Sequence, residues 1–371
     1  MPSTPADLPH IRARVGAALT GFMGQQRDNA ACIDPSLLPC LDAVEELLAG
    51  GKRLRAAFCY WGWRAAGGAD GAEILTAAAA LELLHASALV HDDVMDASDT
   101  RRGRPSVHRQ FAARHQAAGW QGSAAAFGTG AAILIGDLLL AWTDELLHGS
   151  GLPQWALASG RPVLDAMRTE VFSGQYLDLV GQASRAETVA SALRVVEYKS
   201  AKYTVERPLH LGAALAAGDG SGRAGNGAGG GSRPGGGLAA SLSSYGIPLG
   251  IAFQLRDDVL GVFGDPAETG KPVSDDLREG KQTVLIALAR ERASAAQAAV
   301  IGRHLGDPRL SAAAAAEVRA VITGTGALDE CELMISRNLA EALAALEGAP
   351  IAPAAGQALS ELAVAATARR G

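Results

Sequence analysis

The chain has 371 residues, 48% of them hydrophobic, and a formal net charge of −6. That length can bury a substantial core, as one large domain or two smaller ones. The acidic balance excludes a global basic field that would recruit nucleic acid, and the basic residues are grouped locally instead, in GKRLR (51–55) and TRRGR (100–104).

Cys32, Cys40, Cys59 and Cys331 form no CxxC pair and no metal-ligand spacing, so free thiols in a reducing compartment are expected. MPSTPADLPHIRAR lacks a basic segment followed by an apolar one, so no signal peptide is expected. No uninterrupted run of about 18 apolar residues occurs, so no transmembrane segment is expected, and the chain reads as soluble and cytoplasmic.

Alanine and leucine dominate, and β-branched or aromatic residues rarely alternate with polar ones, which predicts an all-α fold. LDAVEELLAG (41–50) reads as an amphipathic helix ending on glycine. Residues 71–96 form a long, mostly apolar helix that acquires acid only at its C-terminal end. Residues 122–149 are apolar around most of the circumference, with Asp137 embedded, as in the centre of a large bundle. Further helical patterns fall at 153–180, 186–216, 238–263, 281–305, 310–323, 328–347 and 354–369. Between two of them, GDGSGRAGNGAGGGSRPGGG (218–237) has no apolar side chain larger than alanine, apart from Pro234, to offset its ordering entropy. It reads as a flexible loop inside one domain spanning 1–371, with a domain linker as the alternative.

The chemistry concentrates where apolar helices meet acid. Asp92 and Asp96 share a helical face, with Asp93 beside them and Arg101 and Arg102 just beyond. Crowded carboxylates repel unless a cation neutralises them, and oxygen-only donors suit Mg²⁺ or Mn²⁺. Mg²⁺ is usually held by one or two carboxylates plus substrate phosphates, so this cluster reads as half a site that a diphosphate completes. Asp257 and Asp258 repeat the arrangement after YGIPLGIAFQLR, but Gly261 stands where a third aspartate would fall. Beyond them, residues 264–283 supply Lys271, Asp275, Asp276 and Lys281. Because Mg²⁺ needs few protein carboxylates when phosphate and water fill its shell, Gly261→Asp is expected to change turnover only modestly. Lys202 is read as a solvated charge.

Five segments in order resemble the trans-isoprenyl diphosphate synthases, the polyprenyl synthetase family, over nearly the whole chain. GGKRLR (50–55) is similar to the family's GKxxR segment, and DDVMD with its trailing arginines to the first aspartate-rich motif. SGQYLD (173–178) matches GQxxD, YKSAKYT (198–204) resembles the KT(G/A) segment, and FQLRDDVLGVFGD the second aspartate-rich region. Ser200 where threonine is usual, Gly261 and the glycine insertion are departures. The resemblance implies antiparallel helices around a deep central apolar cavity, a homodimer, and condensation of isopentenyl diphosphate with an allylic diphosphate. It implies that Asp92, Asp96 and Asp257 ligate three Mg²⁺ ions, supported by Asp93 and Asp258. Arg101, Lys199 and Lys271 would contact the allylic diphosphate, and Lys52, Arg55, His85 and Arg102 the isopentenyl diphosphate. Ser200 and Gln254 would lie near the developing allylic cation and Gln175 near the polar floor of the site. A buried structural role for His85 is the alternative.

The small Ser87 and Ala88, four to five residues before Asp92, stand where short-chain members of the family carry aromatics. A product longer than 15 carbons is therefore expected, most simply geranylgeranyl diphosphate, with C25 to C50 as the runner-up. Ser87→Phe is expected to shorten it. Leu84, Leu81, Phe127 and Trp142 are candidates for a deeper floor, ordinary packing being the alternative for Trp142. A class I terpene cyclase and a non-catalytic partner subunit are the rival readings.

Overall fold

The computed structural model describes residues 8–184, 188–217, 236–264 and 275–367. Among them the all-α expectation holds: helices alternate with short connections, and two-residue strands, Thr100–Arg101 and Arg104–Pro105, form a small antiparallel ribbon. The glycine-rich stretch assigned to a flexible loop lies almost wholly outside the described residues, as does Lys271. The fold divides into two compact units, residues 8–160 with 212–217, and residues 161–211 with those after 222.

The first unit contains α1 (Leu8–Ile33), α2 (Leu38–Leu48), α3 (Leu54–Ala65), α4 (Ala72–Met95), α5 (Val107–Ala117), α6 (Ala124–His148) and the start of α7 (Gln154–Ser184). α4 is its axis, packing on α1, α2, α3, α5 and α6. It can serve as one because Ala77, Ala78, Ala79 and Ala80 bury fully beside Leu81, Leu83 and Leu84, letting neighbouring backbones close in on several sides. Helices α1, α3 and α5 are additions to the sequence-based reading. In α1 the buried stripe is Ile11, Val15, Leu19, Met23 and Ala30, but it includes the polar Gln26, which donates to Glu145 at 2.6 Å. In α5, His108 and His115 occupy buried positions next to Val107 and Phe111, so polar residues conceal the apolar period. Phe127 is not a pocket floor: it is 38% exposed and stacks with His115 and Trp120, ring centroids 5.3 and 5.2 Å away. Trp142 packs edge-on against Phe22 at 6.1 Å, the ordinary packing role.

The second unit holds most of α7, then α8 (Val189–Val195), a π-helical stretch (Val196–Glu206), α9 (Arg207–Ala216, its end in the first unit) and α10 (Gly236–Phe263). It continues with α11 (Asp275–Glu279), α12 (Val284–Arg292), α13 (Ala295–His304), α14 (Ala312–Gly324), α15 (Ala327–Leu346) and α16 (Pro353–Thr367). α10 is the axis here, packed on the π-helical stretch and α15. The single helix expected over 281–305 is two, because Ala293 is extended and Ser294 with Gln297 forms a capping box that starts a new helix.

Helices α4, α6 and α10 are each long and apolar enough, by length and composition, to cross a membrane. Isolated polar residues such as Glu82 and Asp137 are what interrupt the runs in sequence. The apolarity of α4 is used inside the protein, where 72% of its most apolar window is buried; for α6 the share is 28%.

Tyr245 of α10 is wholly buried and its hydroxyl donates to the carbonyl of Leu359 at 2.7 Å, tying α16 to the axis. Tyr245→Phe leaves that carbonyl without its donor, and urea unfolding is expected to show a loss of about 1–3 kcal/mol.

Candidate active site

The basic segment 50–55 is built by close approach. Arg53, at the N-terminus of α3, has φ +54° and is 8% exposed; it pairs with Glu82 of α4 at 3.1 Å and donates to the carbonyl of Leu48. Arg102 also has φ +54°, and its Nη1 donates to the carbonyl of Leu47 at 3.0 Å. The glycine pair makes room for it: a Cβ would lie 2.9 Å from Arg102 Nη1 at Gly50 and 3.2 Å from Nη2 at Gly51, whose φ is +100°. Left-handed backbone at two arginines is strain held by the surrounding contacts, as is common at functional sites.

Arg55, in the first turn of α3, completes a cationic group around His85 of α4, while Lys52 is exposed in the connection before α3. The imidazole of His85 is held well below its ordinary value by burial first, then by the charges of Arg55, Arg102, Arg101 and Arg53. Burial, Arg53 and Arg101 likewise lower the guanidinium of Arg102. Arg53 has Glu82 and Arg101 has aspartate, whereas Arg102 has no carboxylate partner among the described residues. Cations crowded this way attract an anion.

Two turns further along α4, the first carboxylates are divided by burial. Asp93 is 2% exposed and accepts from Arg101 Nε at 2.9 Å and from Nη2; burial still raises its carboxyl despite Arg101. Asp92 is half-buried with Arg101 Nη2 at 3.7 Å. Arg101, expected on a diphosphate, therefore sits between Asp92 and Asp93. Asp96 is not within the helix but caps it, its N–H donating to the Asp92 carbonyl at 2.8 Å, and Ala97 at φ +52° turns the chain away.

In the second unit the expected residues form two short chains of contact. Lys199 Nζ pairs with Asp178 Oδ2 of α7 at 2.6 Å. Gly174 permits the approach, since a Cβ there would lie 2.7 Å from Lys199 Cα. Ser200, 8% exposed, donates through Oγ to Gln254 Oε1 at 2.5 Å, and Gln254 Nε2 donates to Asp258 Oδ1 at 2.7 Å. Asp258 is 6% exposed and is pushed up to about 7 by burial, with Asp276 and Asp257 also raising it against Gln254 and Lys281. Asp257 is half-buried one position earlier. Lys199 and Ser200 lie in the π-helical stretch, a local widening frequent at functional sites. Gln175 of α7 is half-buried, and its Nε2 has no hydrogen-bond partner among the described residues. Lys202 is not a solvated charge: it pairs with Glu206 at 3.2 Å and Glu170 at 3.5 Å in a half-buried network with Arg207. Sequence reasoning passed over Arg53, Glu82 and Asp178; for Asp178 the last letter of GQxxD was the available signal.

Ser87, Leu84 and Leu81 are each 1% exposed, and the Ser87 hydroxyl has no hydrogen-bond partner among the described residues. Ala88 keeps accessible surface, so of the small pair it is the one that can line an opening.

Among the described residues no three His, Cys, Asp or Glu side chains converge to hold a metal unaided. Asp92 and Asp96 in the first unit, and Asp257 in the second, each offer the oxygen donors that suit a hard cation. An all-α frame with acid at the ends of apolar helices and arginines clustered around His85 is what an enzyme handling diphosphates through divalent metal requires. The polyprenyl synthetase family model matches residues 39–322, and the chain belongs to that family of prenyltransferases. It is 30% identical over 358 residues to a geranylgeranyl diphosphate synthase of Mycobacterium tuberculosis, covering 95% of this chain and 92% of that one. It is 32% identical to a geranylfarnesyl diphosphate synthase of Aeropyrum pernix over 76% of this chain and 79% of that one. A geranylgeranyl pyrophosphate synthase of Corynebacterium glutamicum, solved with isoprenyl diphosphate and magnesium, superposes with a TM-score of 0.90 at 41% identity, covering 98% and 100% of the two chains.

A histidine lowered in the fold resists protonation there, so His85 contributes stability above its ordinary value near 6.5 that is lost as pH falls from there towards its folded value. His85→Gln is expected to flatten the decline of Tm below pH 6.5. An unchanged decline contradicts the lowered imidazole.

Proposed function

We propose that the enzyme condenses isopentenyl diphosphate head to tail with allylic diphosphates, ending at the 20-carbon geranylgeranyl diphosphate. The observation that carries this is the arrangement along α4, where an anion site of Arg53, Arg55, Arg101 and Arg102 around His85 precedes the carboxylates Asp92 and Asp96. One helix thereby offers a direct cationic grip for one diphosphate and metal-ligating oxygen for another. A terpene cyclase, which takes one diphosphate, has no use for the first.

Asp92, Asp96 and Asp257 are the residues that would hold Mg²⁺ or Mn²⁺, in three ions on the family pattern. The bound metal would supply positive charge to the departing pyrophosphate. Lys52, Arg55 and Arg102, with neutral His85 as a hydrogen-bonding group, bind and orient isopentenyl diphosphate so that its double bond faces the allylic carbon. Lys199, oriented by Asp178, and Lys271 attract the allylic diphosphate. Ser200 spends its proton on Gln254, which leaves its oxygen lone pairs to face positive charge on the allylic carbon. The apolar flank of α4 keeps that cation from water, and the pyrophosphate released takes the proton when the new alkene forms.

Ala88 supports a tail longer than 15 carbons, because its side chain is too small to stop one. Exposed Ile133, Leu134 and Leu138 give α6 an apolar outer face that a second copy would cover, which supports a homodimer. A single catalytic domain over the whole chain and a cytoplasmic location belong to the same reading.

Incubation of the purified protein with farnesyl diphosphate, isopentenyl diphosphate and Mg²⁺ is expected to give a 20-carbon product by chromatography. A halt at 15 carbons overturns the open-pocket argument, and no transfer to any allylic primer overturns the synthase. Asp257→Ala is expected to lower turnover by more than about 100-fold with Tm preserved. Ala88→Phe is expected to shorten the product, and unchanged length would place the tail elsewhere. Ser87→Phe is now expected to cost stability first, since it enlarges a packed position.

A further inference from the structure

A π-helix rarely runs beyond a single turn, so the 11 residues Val196–Glu206 need support from outside their own backbone. Glycines of the flanking helices give the stretch its room. A Cβ would lie 2.7 Å from Lys199 Cα at Gly174 of α7, and 2.9 Å from Glu206 Cα at Gly246 of α10. At Gly250, one turn along α10, it would lie 2.7 Å from Ala201 Cβ. Room permits the widening but does not choose where along the chain it begins and ends.

That choice is made by charge at the C-terminal end. Glu206, the last residue of the stretch, is 3% exposed. It accepts from Ser243 Oγ of α10 at 2.7 Å and from Lys202 Nζ at 3.2 Å. Lys202 Nζ also lies 3.5 Å from Glu170 Oε1 of α7, and Glu170 holds the Arg207 guanidinium through two bonds of 2.6 Å. His210 Nε2 stands 3.2 Å from Ser243 Oγ and 3.1 Å from the Ala239 carbonyl, continuing the contacts along α10. Helices α7 and α10 thus both grip this end, and a buried carboxylate so held cannot turn without stranding charge. Relaxation to ordinary α-helical winding would rotate the two ends of the stretch against each other by roughly the 100° of one residue. Lys199 would then leave Asp178 and Ser200 would leave Gln254, their partners at 2.6 and 2.5 Å.

We infer that Glu206 is a positioning residue: by fixing the end of the π-helical stretch between α7 and α10, it aims Lys199 and Ser200. The inference rests on the proposed contact of Lys199 with the allylic diphosphate. A purely structural Glu206 would hold the helices together and affect stability alone.

The two roles separate in steady-state kinetics with farnesyl and isopentenyl diphosphates, run well below the Tm of each variant. Glu206→Gln keeps the volume and an acceptor for Ser243 but removes the charge that Lys202 meets. It is expected to raise KM for farnesyl diphosphate about 10-fold and leave KM for isopentenyl diphosphate unchanged. The asymmetry follows because Arg55 and Arg102, assigned to isopentenyl diphosphate, belong to the first unit. In a Lys199→Ala background the same change is expected to add less than about 2-fold to the farnesyl KM, since its effect passes through the lysine. Ser243→Ala, which leaves every charge in place, is expected to raise that KM about 3-fold. An unchanged farnesyl KM in folded Glu206→Gln overturns the inference, as does an equal rise in both KM values or full additivity with Lys199→Ala. Should Glu206→Gln fail to fold, Ser243→Ala decides by the same three outcomes. A wild type without turnover on any allylic primer overturns the synthase reading itself. An active wild type whose farnesyl KM is indifferent to Lys199→Ala overturns the contact of Lys199, and this assignment with it.

Discussion

Like charges held close together are the constraint on which both units are organised. In the first, four guanidiniums converge on His85, an arrangement that costs free energy through mutual repulsion. The protein supports it locally. Glu82, buried in the axis helix, neutralises Arg53, and Asp93 neutralises Arg101. Left-handed backbone at Arg53 and Arg102, with the glycine pair beneath, lets the remaining guanidiniums reach in from two different segments. Removing one partner of a buried pair such as Arg53 and Glu82 would strand a charge at a cost of about 3–5 kcal/mol, so the scaffold and the anion site cannot vary independently.

In the second unit the same constraint is met by hydrogen bonding. Asp258 is buried beside Asp257, and the Gln254 amide stands against it in place of a cation. Gln254 can do so because its carbonyl is taken by Ser200, which fixes the amide's orientation. A threonine could make the same bond, so Ser200, a departure from the family's usual residue, preserves the chain of donors. Lys199 and Ser200 are adjacent in the π-helical stretch yet have unrelated partners, Asp178 on α7 and Gln254 on α10. A widened helix is one way to aim neighbouring side chains at two elements.

The helical frame and both aspartate pairs were legible in the sequence, because an apolar helix that ends in acid is conspicuous and because GGKRLR and SGQYLD are short, local patterns. What escaped depends on partners far along the chain. The pairing of Arg53 with Glu82 joins a residue read as merely basic to one buried in the middle of an apolar run. Lys202 looked solvated because Glu170, its partner in α7, is distant in sequence. Ser87 and Ala88 were equivalent as small residues, and only the packing of α4 separates the buried one from the accessible one. Helices α1 and α5 were missed for a related reason, since Gln26, His108 and His115 fill core positions with polar side chains whose partners the local pattern does not contain.

The paired aspartates themselves show why a doubled acid is useful. Consecutive residues on a helix point about 100° apart, so when one faces the packed interior the next faces outward. In both motifs the second aspartate is the buried one, Asp93 at 2% and Asp258 at 6%, and in both it is engaged by a neighbouring side chain, Arg101 or Gln254. The first, Asp92 or Asp257, keeps more accessible surface. One carboxylate of each pair thus anchors in the packed interior while its neighbour keeps surface. Asp96 stands at a helix cap, whereas beside Gly261 the nearest carboxylate, that of Asp276, comes from a separate helix.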